Sequence, residues 1–296
     1  MSTDPSSATS SHDFNLPGSL AVGLGPGGLP SVTIDTPQCA ATQSLHGATV
    51  TGWTPAGQTP VLFTSREAVY QDGKAIRGGV PICFPWFGDH PLDPDAPAHG
   101  LVRALPWQLV QTAQGPDGIG VHMLTHLDQL RADYRTTYGE KLTLNLSVTN
   151  TSDSDQTFEA ALHTYFVVGD IHRVRILGLE HADYLSKVEG GQGKNQGDQP
   201  VTFSGETDRI YQNTQATCVL EDPALGRAIT VEKLGSDSTV VWNPWVDKSA
   251  RLADFGDDEW TGMCCIESAN IGDHAVTLAP GDRHTLRVVI KVTGLE

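Results

Sequence analysis

The stretch Lys141-Leu-Thr-Leu-Asn-Leu-Ser-Val-Thr149 decides the fold class of this 296-residue chain. Its leucines and valine alternate, one for one, with lysine, threonine, asparagine and serine. Because successive side chains of a β-strand point to opposite faces, this period of two predicts a strand with one buried and one solvated face. The buried face then requires other strands to pack against it.

Further strand-like segments occur on both sides of this stretch in the sequence. Short β-rich segments recur between turn signals at residues 48–53, 60–64, 120–125, 157–168, 217–221, 228–233 and 284–292. The 31 glycines and 18 prolines separate them, helical periodicity is scarce, and no βαβ rhythm is present. The sequence therefore predicts an all-β protein built as a large antiparallel β-sandwich.

The domain organisation follows from composition along the chain. The first 15 residues are rich in serine, threonine and aspartate and have no apolar period, and we expect order to begin near Pro30. This predicts a disordered or poorly ordered leader at 1–29 and a single β-sandwich domain at 30–296. Residues 190–200 are linker-like in composition, but strand-like runs continue on both sides, which indicates a long surface loop.

The composition also excludes several classes of function. The formal net charge of −16 opposes binding to nucleic acid, which is itself anionic. No lysine or arginine precedes Arg66, so neither a secretory nor an organellar signal is indicated, and we expect a cytoplasmic protein without membrane association. Five cysteines without CxxC spacing predict reduced thiols. No side chains have convincing metal-ligand spacing and no nucleotide-binding fingerprint is present, so no metal or cofactor is expected.

Two arginines stand out in this acidic chain. They are Arg77, in Arg77-Gly-Gly-Val-Pro-Ile-Cys-Phe-Pro-Trp-Phe-Gly88, and Arg103, in Ala98-His-Gly-Leu-Val-Arg103. Each guanidinium offers a planar fork of donors that matches phosphate oxygens. Because dissolved salt screens charges over about 8 Å, a nearby arginine has more effect on a bound anion than distant carboxylates have. The alternative is that both are surface or structural arginines. The glycine- and proline-rich setting favours a rigid binding loop, to which His99 adds a titratable group.

Two further residues are candidates for acid–base chemistry. His163 lies in the apolar run Ala161-Leu-His-Thr-Tyr-Phe166, where it is either a satisfied core histidine or a general acid. Glu267 follows Met263-Cys-Cys-Ile266, which is typical of a buried strand. Because an ionised glutamate is rarely buried without a partner, we interpret Glu267 as a site residue at the end of that strand.

Six separated segments together resemble the D-hexose-6-phosphate mutarotases of the aldose 1-epimerase superfamily. In chain order they are residues 77–88, 98–103, 162–166, 208–211, 241–245 and 265–270. The likeness extends from about Pro30 to the C terminus. It implies a galactose mutarotase-like β-supersandwich and a cofactor-free interconversion of the α and β anomers of a hexose 6-phosphate, glucose 6-phosphate foremost.

The resemblance also implies roles for individual residues. His163 would protonate the ring oxygen and Glu267 would take the proton from the anomeric hydroxyl. The reaction then needs His163 to start protonated and Glu267 to start ionised, and we expect their mutual proximity to favour this state.

The same resemblance implies how the substrate would be held. Arg77 and Arg103 would bind the phosphate, while His99 and Asp208 would bind or orient the sugar. The chain departs from the family pattern at Ser186, where many relatives have an acidic residue, and at Ala98, where some have glutamine. Both departures concern sugar recognition.

Three other functions remain open at this point. They are a non-catalytic sugar-phosphate binding or regulatory module, a mutarotase of unphosphorylated aldoses, and a glycoside hydrolase or lyase that would use a carboxylate pair such as Asp208 and Glu267. The expected partner is a small-molecule sugar phosphate, with neither nucleic acid nor membrane, and the protein is expected to be a monomer.

Overall fold

The computed structural model describes residues 14–295, and over this range the chain is built almost entirely from strands and turns. The strands are β1 (Leu20–Leu24), β2 (Pro30–Asp35), β3 (Cys39–Ser44), β4 (Val50–Pro55), β5 (Ile82–Cys83), β6 (Gln108–Gly115), β7 (Gly118–Leu127), β8 (Leu130–Tyr138), β9 (Leu142–Asn150), β10 (Gln156–Phe158), β11 (Ala160–Leu162), β12 (Tyr165–Val167), β13 (Arg175–Leu177), β14 (Asp183–Ser186), β15 (Gln192–Asn195), β16 (Thr207–Tyr211), β17 (Cys218–Asp222), β18 (Arg227–Leu234), β19 (Ser238–Asn243), β20 (Met263–Asn270), β21 (Val276–Leu278) and β22 (Arg283–Gly294). The helical elements are α1 (Trp245–Ser249) and the 3₁₀ turns Pro26–Gly28, Val102–Ala104, Lys187–Glu189, Glu259–Gly262 and Gly272–His274.

Two antiparallel sheets of eight strands dominate the described part of the chain. One, here called the β9 sheet, has the order β13-β17-β18-β22-β9-β8-β7-β6. The other, the β20 sheet, has the order β15-β14-β16-β19-β20-β11-β5, with β12 also paired to β20. A four-stranded sheet, β1-β2-β3-β4, and the pair β10-β21 complete the architecture. The prediction of a large antiparallel β fold is confirmed.

The strand that decided the fold class is β9, which lies between β22 and β8. Its apolar positions are buried as predicted, namely Leu142, Leu144, Leu146 and Val148. Its polar face is less solvated than predicted, because Thr143 and Ser147 are buried too. The reason is the strand's central place, where neighbouring side chains cover this face, and the Ser147 hydroxyl lies 2.8 Å from that of Thr285 on β22.

The predicted leader requires correction where the structure describes it. Strand β1 pairs along its whole length with β2, and Leu20 is buried in the main core. The pairing becomes possible because Gly27 and Gly28 adopt φ of 64° and 75° in the turn between the two strands. Residues 1–13 lie outside the described range. The single-domain interpretation stays a prediction, which one continuous core cluster from Leu20 to Ile290 supports.

Three predicted segments differ from the observed elements. Residues 60–64 form isolated bridges, Leu62 to Phe166 and Thr64 to Gly78, rather than a strand of a sheet. The run at 157–168 is divided into β10, β11 and β12. The predicted surface loop at 190–200 contains β15, which pairs with β14 as a hairpin. Local composition did not reveal these because pairing partners, rather than propensity, decide them.

Side-chain alternation in the β20 sheet separates the core from an open face. Along β20, Cys264 and Ile266 belong to the main core, whereas Cys265 and Glu267 point to the opposite face. Two small apolar clusters lie on that opposite face, one around Val240 and one around Trp242. All five cysteines are buried and free, as predicted. The fold therefore presents Glu267 on a sheet face that is only locally apolar.

Candidate active site

His163 and Glu267 are brought together by strand register. β11 and β12 both pair with β20, with Leu162 opposite Ser268 and Tyr165 opposite Cys265, which places His163 opposite Glu267. The strand is interrupted at His163, whose N–H donates to the Pro81 carbonyl. The distance from His163 Nε2 to Glu267 Oε1 is 3.4 Å, and the two residues are 7% and 1% exposed. Glu267 is internal to its strand and not at its end, which corrects the sequence interpretation.

Both side chains of this pair carry a buried polar atom without a partner. Among the described residues, His163 Nδ1 and Glu267 Oε2 make no hydrogen bond. Leaving such a group unsatisfied costs about 1–3 kcal/mol, so native proteins rarely tolerate it without a functional reason. Two such atoms on adjacent titratable residues point to a reaction site and not to a structural pair.

The protonation of the pair differs from the sequence expectation. Burial, and next the neighbouring His99 with the charges of Arg103 and Arg77, lowers the pKa of His163 well below its usual value. Burial, and next the charge of Asp208, raises the pKa of Glu267 well above its usual value. Burial therefore shifts both pKa values toward the neutral forms, which is the direction opposite to that expected from proximity.

His99 is held rigidly beside the pair in an uncommon backbone conformation. Its φ is 63°, and the next residue, Gly100, has φ of 77° and so little room that a Cβ would lie 2.1 Å from the Phe84 carbonyl oxygen. The Gly88 N–H donates to His99 Nδ1, so the ring proton of the neutral imidazole lies on Nε2. Burial, with the charges of Arg103 and Arg77, lowers the pKa of His99 to about 3. His99 is therefore a neutral hydrogen-bond donor.

The two arginines have different surroundings. Arg77 donates from Nε to Asp254 and from Nη1 to the Tyr165 hydroxyl, at 3.1 and 3.2 Å. Arg103 donates from Nη2 to the Ala98 carbonyl at 2.6 Å and has no carboxylate partner among the described residues. Arg103 thus keeps most of its donors for a ligand, while Arg77 is fixed at two points.

Asp208 enters the site from β16 and is accompanied by cations that the sequence reasoning did not select. Lys248 Nζ lies 3.0 Å from Glu206 Oε1 and 3.8 Å from Asp208 Oδ2. Burial raises the pKa of Asp208, and Lys248 with Lys187 offsets part of this rise. Lys248 is on α1, directly after the resemblance segment 241–245, and its position in the sequence was the only available signal.

All six residues selected from the sequence line one cavity of about 490 Å³, on the open face of the β20 sheet. They are Arg77, His99, Arg103, His163, Asp208 and Glu267. Its lining also includes residues that sequence reasoning missed, among them Phe87, Glu159, Lys187, Trp242 and Lys248. Their roles, like those of the six, are not decided by proximity alone.

Glu159 has a clear structural part in shaping this cavity. One carboxylate oxygen accepts the Phe87 N–H at 2.8 Å and the other accepts the Gly272 N–H at 2.7 Å. The Phe87 ring packs edge-on against His99, with centroids 4.7 Å apart. Glu159 therefore ties two loops at the rim and supports His99 from outside.

Two further classes of site find no support in the described residues. Between residues 14 and 295, no three His, Cys, Asp or Glu side chains are grouped so that they could hold a metal ion. No helix in that range has the length and apolar character needed to cross a membrane.

Comparison with known proteins identifies the family and the fold. The family model described as aldose 1-epimerase matches residues 30–291. An Escherichia coli protein named as a candidate glucose-6-phosphate 1-epimerase is 35% identical over 246 residues, covering 81% of this chain and 83% of its own. A protein of the same name from Cenchrus ciliaris is 31% identical, covering 90% and 85%. The crystal structure of a candidate mutarotase from Salmonella typhimurium superposes with a TM-score of 0.88 at 29% identity, covering 95% of this chain and 96% of its own.

Proposed function

The chain belongs to the aldose 1-epimerase family, and from this we propose that it interconverts the α and β anomers of a hexose 6-phosphate, glucose 6-phosphate foremost. One observation carries the proposal: the buried pair His163 and Glu267 opens on the same cavity as Arg77 and Arg103. An acid–base pair without a phosphate site would suit a free aldose. Arginines without the pair would suit a binding module.

The chemistry needs only two proton transfers. Glu267 takes the proton of the anomeric hydroxyl, a C1=O bond forms, the bond from C1 to the ring oxygen breaks, and the ring oxygen takes a proton from His163. Rotation about the C1–C2 bond exposes the other face of the aldehyde, and the same steps in reverse close the ring. Each well-placed transfer contributes about 10²- to 10⁴-fold.

The proton balance of the pair suits this reaction. A neutral histidine beside a protonated glutamate and an imidazolium beside a carboxylate carry the same number of titratable protons, namely one per pair. Substrate binding favours the second arrangement, because a phosphate on Arg77 and Arg103 offsets the two charges that lower the pKa of His163. Sugar hydroxyls that donate to Glu267 stabilise its charged form in the same step.

Selectivity for a phosphorylated sugar would come from local donors. The acidic molecule repels anions at a distance, whereas a guanidinium in a partly closed cavity is screened little. Within the cavity, His99 would donate from Nε2 to the sugar, and Asp208 would accept from its hydroxyls.

The decisive experiment is NMR magnetisation exchange between the α and β anomers of glucose 6-phosphate, with and without the protein, and with free glucose as control. Acceleration confined to glucose 6-phosphate is the expected result. Equal acceleration of both sugars would identify a mutarotase of unphosphorylated aldoses. Acceleration of neither, with glucose 6-phosphate bound, would identify a binding module.

A further inference from the structure

Tyr165 connects the two halves of the proposed site. It is 2% exposed and lies on β12, two residues after His163, on the same face of the β20 sheet. Its hydroxyl accepts a hydrogen bond from Arg77 Nη1 at 3.2 Å. Its ring stacks on the His163 imidazole, with centroids 4.7 Å apart and an interplanar angle of 14°. One side chain thus touches both the phosphate-binding arginine and the acid.

Arg77 needs such a contact because it has space on two sides. Besides the main cavity, it lines a second cavity of about 320 Å³ whose wall includes Lys74, Tyr165 and Asp254. A long, flexible arginine could occupy either space. Asp254 holds Nε and lies 3.1 Å from Nη2, while the Tyr165 hydroxyl holds Nη1. Asp254 alone would fix one edge of the guanidinium and leave its tilt undefined.

The ring of Tyr165 stabilises the orientation of the His163 imidazole. A catalytic histidine is ordinarily oriented by a hydrogen bond to the ring nitrogen that does not face the substrate. His163 Nδ1 has no such partner among residues 14–295. The imidazole is instead enclosed by rings: edge-on by His99 and Trp242, at 5.6 and 6.0 Å, and face-on by Tyr165. The parallel contact with Tyr165 restricts rotation of the imidazole out of its plane.

We infer that Tyr165 is a positioning residue for both halves of the site: its hydroxyl orients Arg77 toward the phosphate, and its ring orients His163 for proton transfer. This inference rests on the proposed function for its catalytic half. The hydroxyl half concerns anion binding and stands without any turnover. Burial raises the pKa of the Tyr165 phenol, so that it stays neutral and takes no proton from the reaction.

The two roles can be separated by substitution. Tyr165→Phe removes the hydroxyl and keeps the stacked ring. Tyr165→Leu and Tyr165→Met remove both, with Met as the more adaptable side chain should Leu not fold. Tyr138→Phe is the matched control, because Tyr138, on β8 of the β9 sheet, is also buried and its hydroxyl donates to Gln43 on β3 at 2.8 Å.

The test measures inorganic phosphate binding by calorimetry, and kcat and KM for glucose 6-phosphate by NMR exchange. For Tyr165→Phe we expect the phosphate Kd and the KM to rise about tenfold, equivalent to about 1.4 kcal/mol, with kcat within about twofold of wild type. For Tyr165→Leu or Tyr165→Met we expect the same rise and a further fall of kcat by about tenfold or more. Tyr138→Phe should change none of these.

Each contrary result is distinct. An unchanged phosphate Kd in Tyr165→Phe, or one no larger than in Tyr138→Phe, would overturn the hydroxyl role. A kcat in Tyr165→Phe as low as in the Leu or Met variant would overturn the separate role of the ring. If the wild type itself does not accelerate exchange, the proposed function fails, and the calorimetric comparison still decides whether Tyr165 orients Arg77.

Discussion

Glu267 has an environment that no structural role explains. It lies in the middle of a buried strand, beside a histidine that is also buried, with one oxygen unpartnered. An ordinary core position would have an apolar residue of similar volume, since a buried pair of this kind contributes little to stability. The proposed function accounts for this cost, because in that reaction Glu267 holds and releases a proton next to the sugar.

Glu267→Gln should lower kcat by about 10²- to 10⁴-fold and leave glucose 6-phosphate binding largely intact, because the amide keeps the shape but cannot take the proton. NMR exchange measures the rate and calorimetry the affinity. Glu232→Gln is the control, since Glu232 is half-exposed on β18 and forms an ion pair with Lys291. A loss of affinity as large as the loss of rate would contradict the assigned role.

The pH dependence of kcat/KM, which reports the free protein, should be a broad plateau across neutral pH. In the active form, the His163–Glu267 pair holds one titratable proton. Activity is therefore lost at low pH, where His163 is protonated as well, and at high pH, where Glu267 loses its proton. Because the pKa of His163 is lowered, the acid limb moves to lower pH, and because that of Glu267 is raised, the alkaline limb moves to higher pH.

The measurement is the exchange rate against pH at glucose 6-phosphate concentrations well below KM, corrected for spontaneous mutarotation. Unperturbed groups would instead give activity only between about pH 4.3 and 6.5. A rate that falls steadily above about pH 6.5 would therefore contradict the neutral pair. The KM is expected to rise below about pH 6, where the phosphate monoester itself becomes singly charged.

At the level of elements, the site depends on one ladder and one loop. The pairing of β11 and β12 with β20 sets the distance between His163 and Glu267. The left-handed backbone conformation of His99 and Gly100 places the His99 imidazole beside these two residues. The run at 157–168 reads as a single strand in the sequence. Its interruption at His163 arises from partners on neighbouring strands, which alternation alone does not encode.

Gly100→Ala should disturb this loop. The residue has φ of 77°, and its Cβ would meet the Phe84 carbonyl oxygen at 2.1 Å. Gly57→Ala is the matched control, because Gly57 has φ of 73° and nothing within 4 Å of a Cβ. We expect about 1–2 kcal/mol of destabilisation for Gly57→Ala from the left-handed conformation, and a further loss of about 1–3 kcal/mol for Gly100→Ala from overpacking.

Urea denaturation measures both free energies of unfolding, and only Gly100→Ala should also raise the KM for glucose 6-phosphate, because His99 moves with the loop. Equal free energies of unfolding for the two variants would show that the close approach at Phe84 relaxes without cost.

At the level of the whole molecule, the net charge of −16 repels anions, whereas the proposed phosphate site attracts them. In the proposed function, binding of a dianion depends on Arg77 and Arg103 in the cavity and not on the field of the whole surface. The expectation of a monomer stays a prediction, for which light scattering after size exclusion is the direct measurement.

Glucose 6-phosphate should stabilise the folded protein against heat, since a ligand that binds only the native state adds about 2.7 kcal/mol at a hundred times its Kd. Free glucose at the same concentration should give a much smaller rise in Tm. Arg103→Ala should abolish the difference between the sugars, whereas Arg287→Ala, an exposed position on β22, should retain it. Phosphate-free buffer is required. The same rise in Tm for both sugars would dismiss the phosphate site.

The sequence by itself determined the strand-rich class, the candidate residues and the family resemblance. The alternation at Lys141–Thr149 and the buried run before Glu267 report on burial, which is a local property of a strand. The sequence did not determine the strand at Leu20–Leu24, the hairpin at β15 or the break at His163, because each depends on a partner elsewhere in the chain.

Only the tertiary structure decided how the candidates work together. Strand register placed His163 opposite Glu267, sheet order placed Asp208 beside Trp242, and helix α1 brought Lys248 to the same cavity. Burial then shifted both pKa values against the direction that proximity predicts, because desolvation depends on everything packed around a group and not on its nearest neighbour alone. The two contacts of Tyr165 also depend on the tertiary structure. The folded sheet determines which side chains Tyr165 touches, whereas spacing in the sequence indicates only neighbours along its own strand.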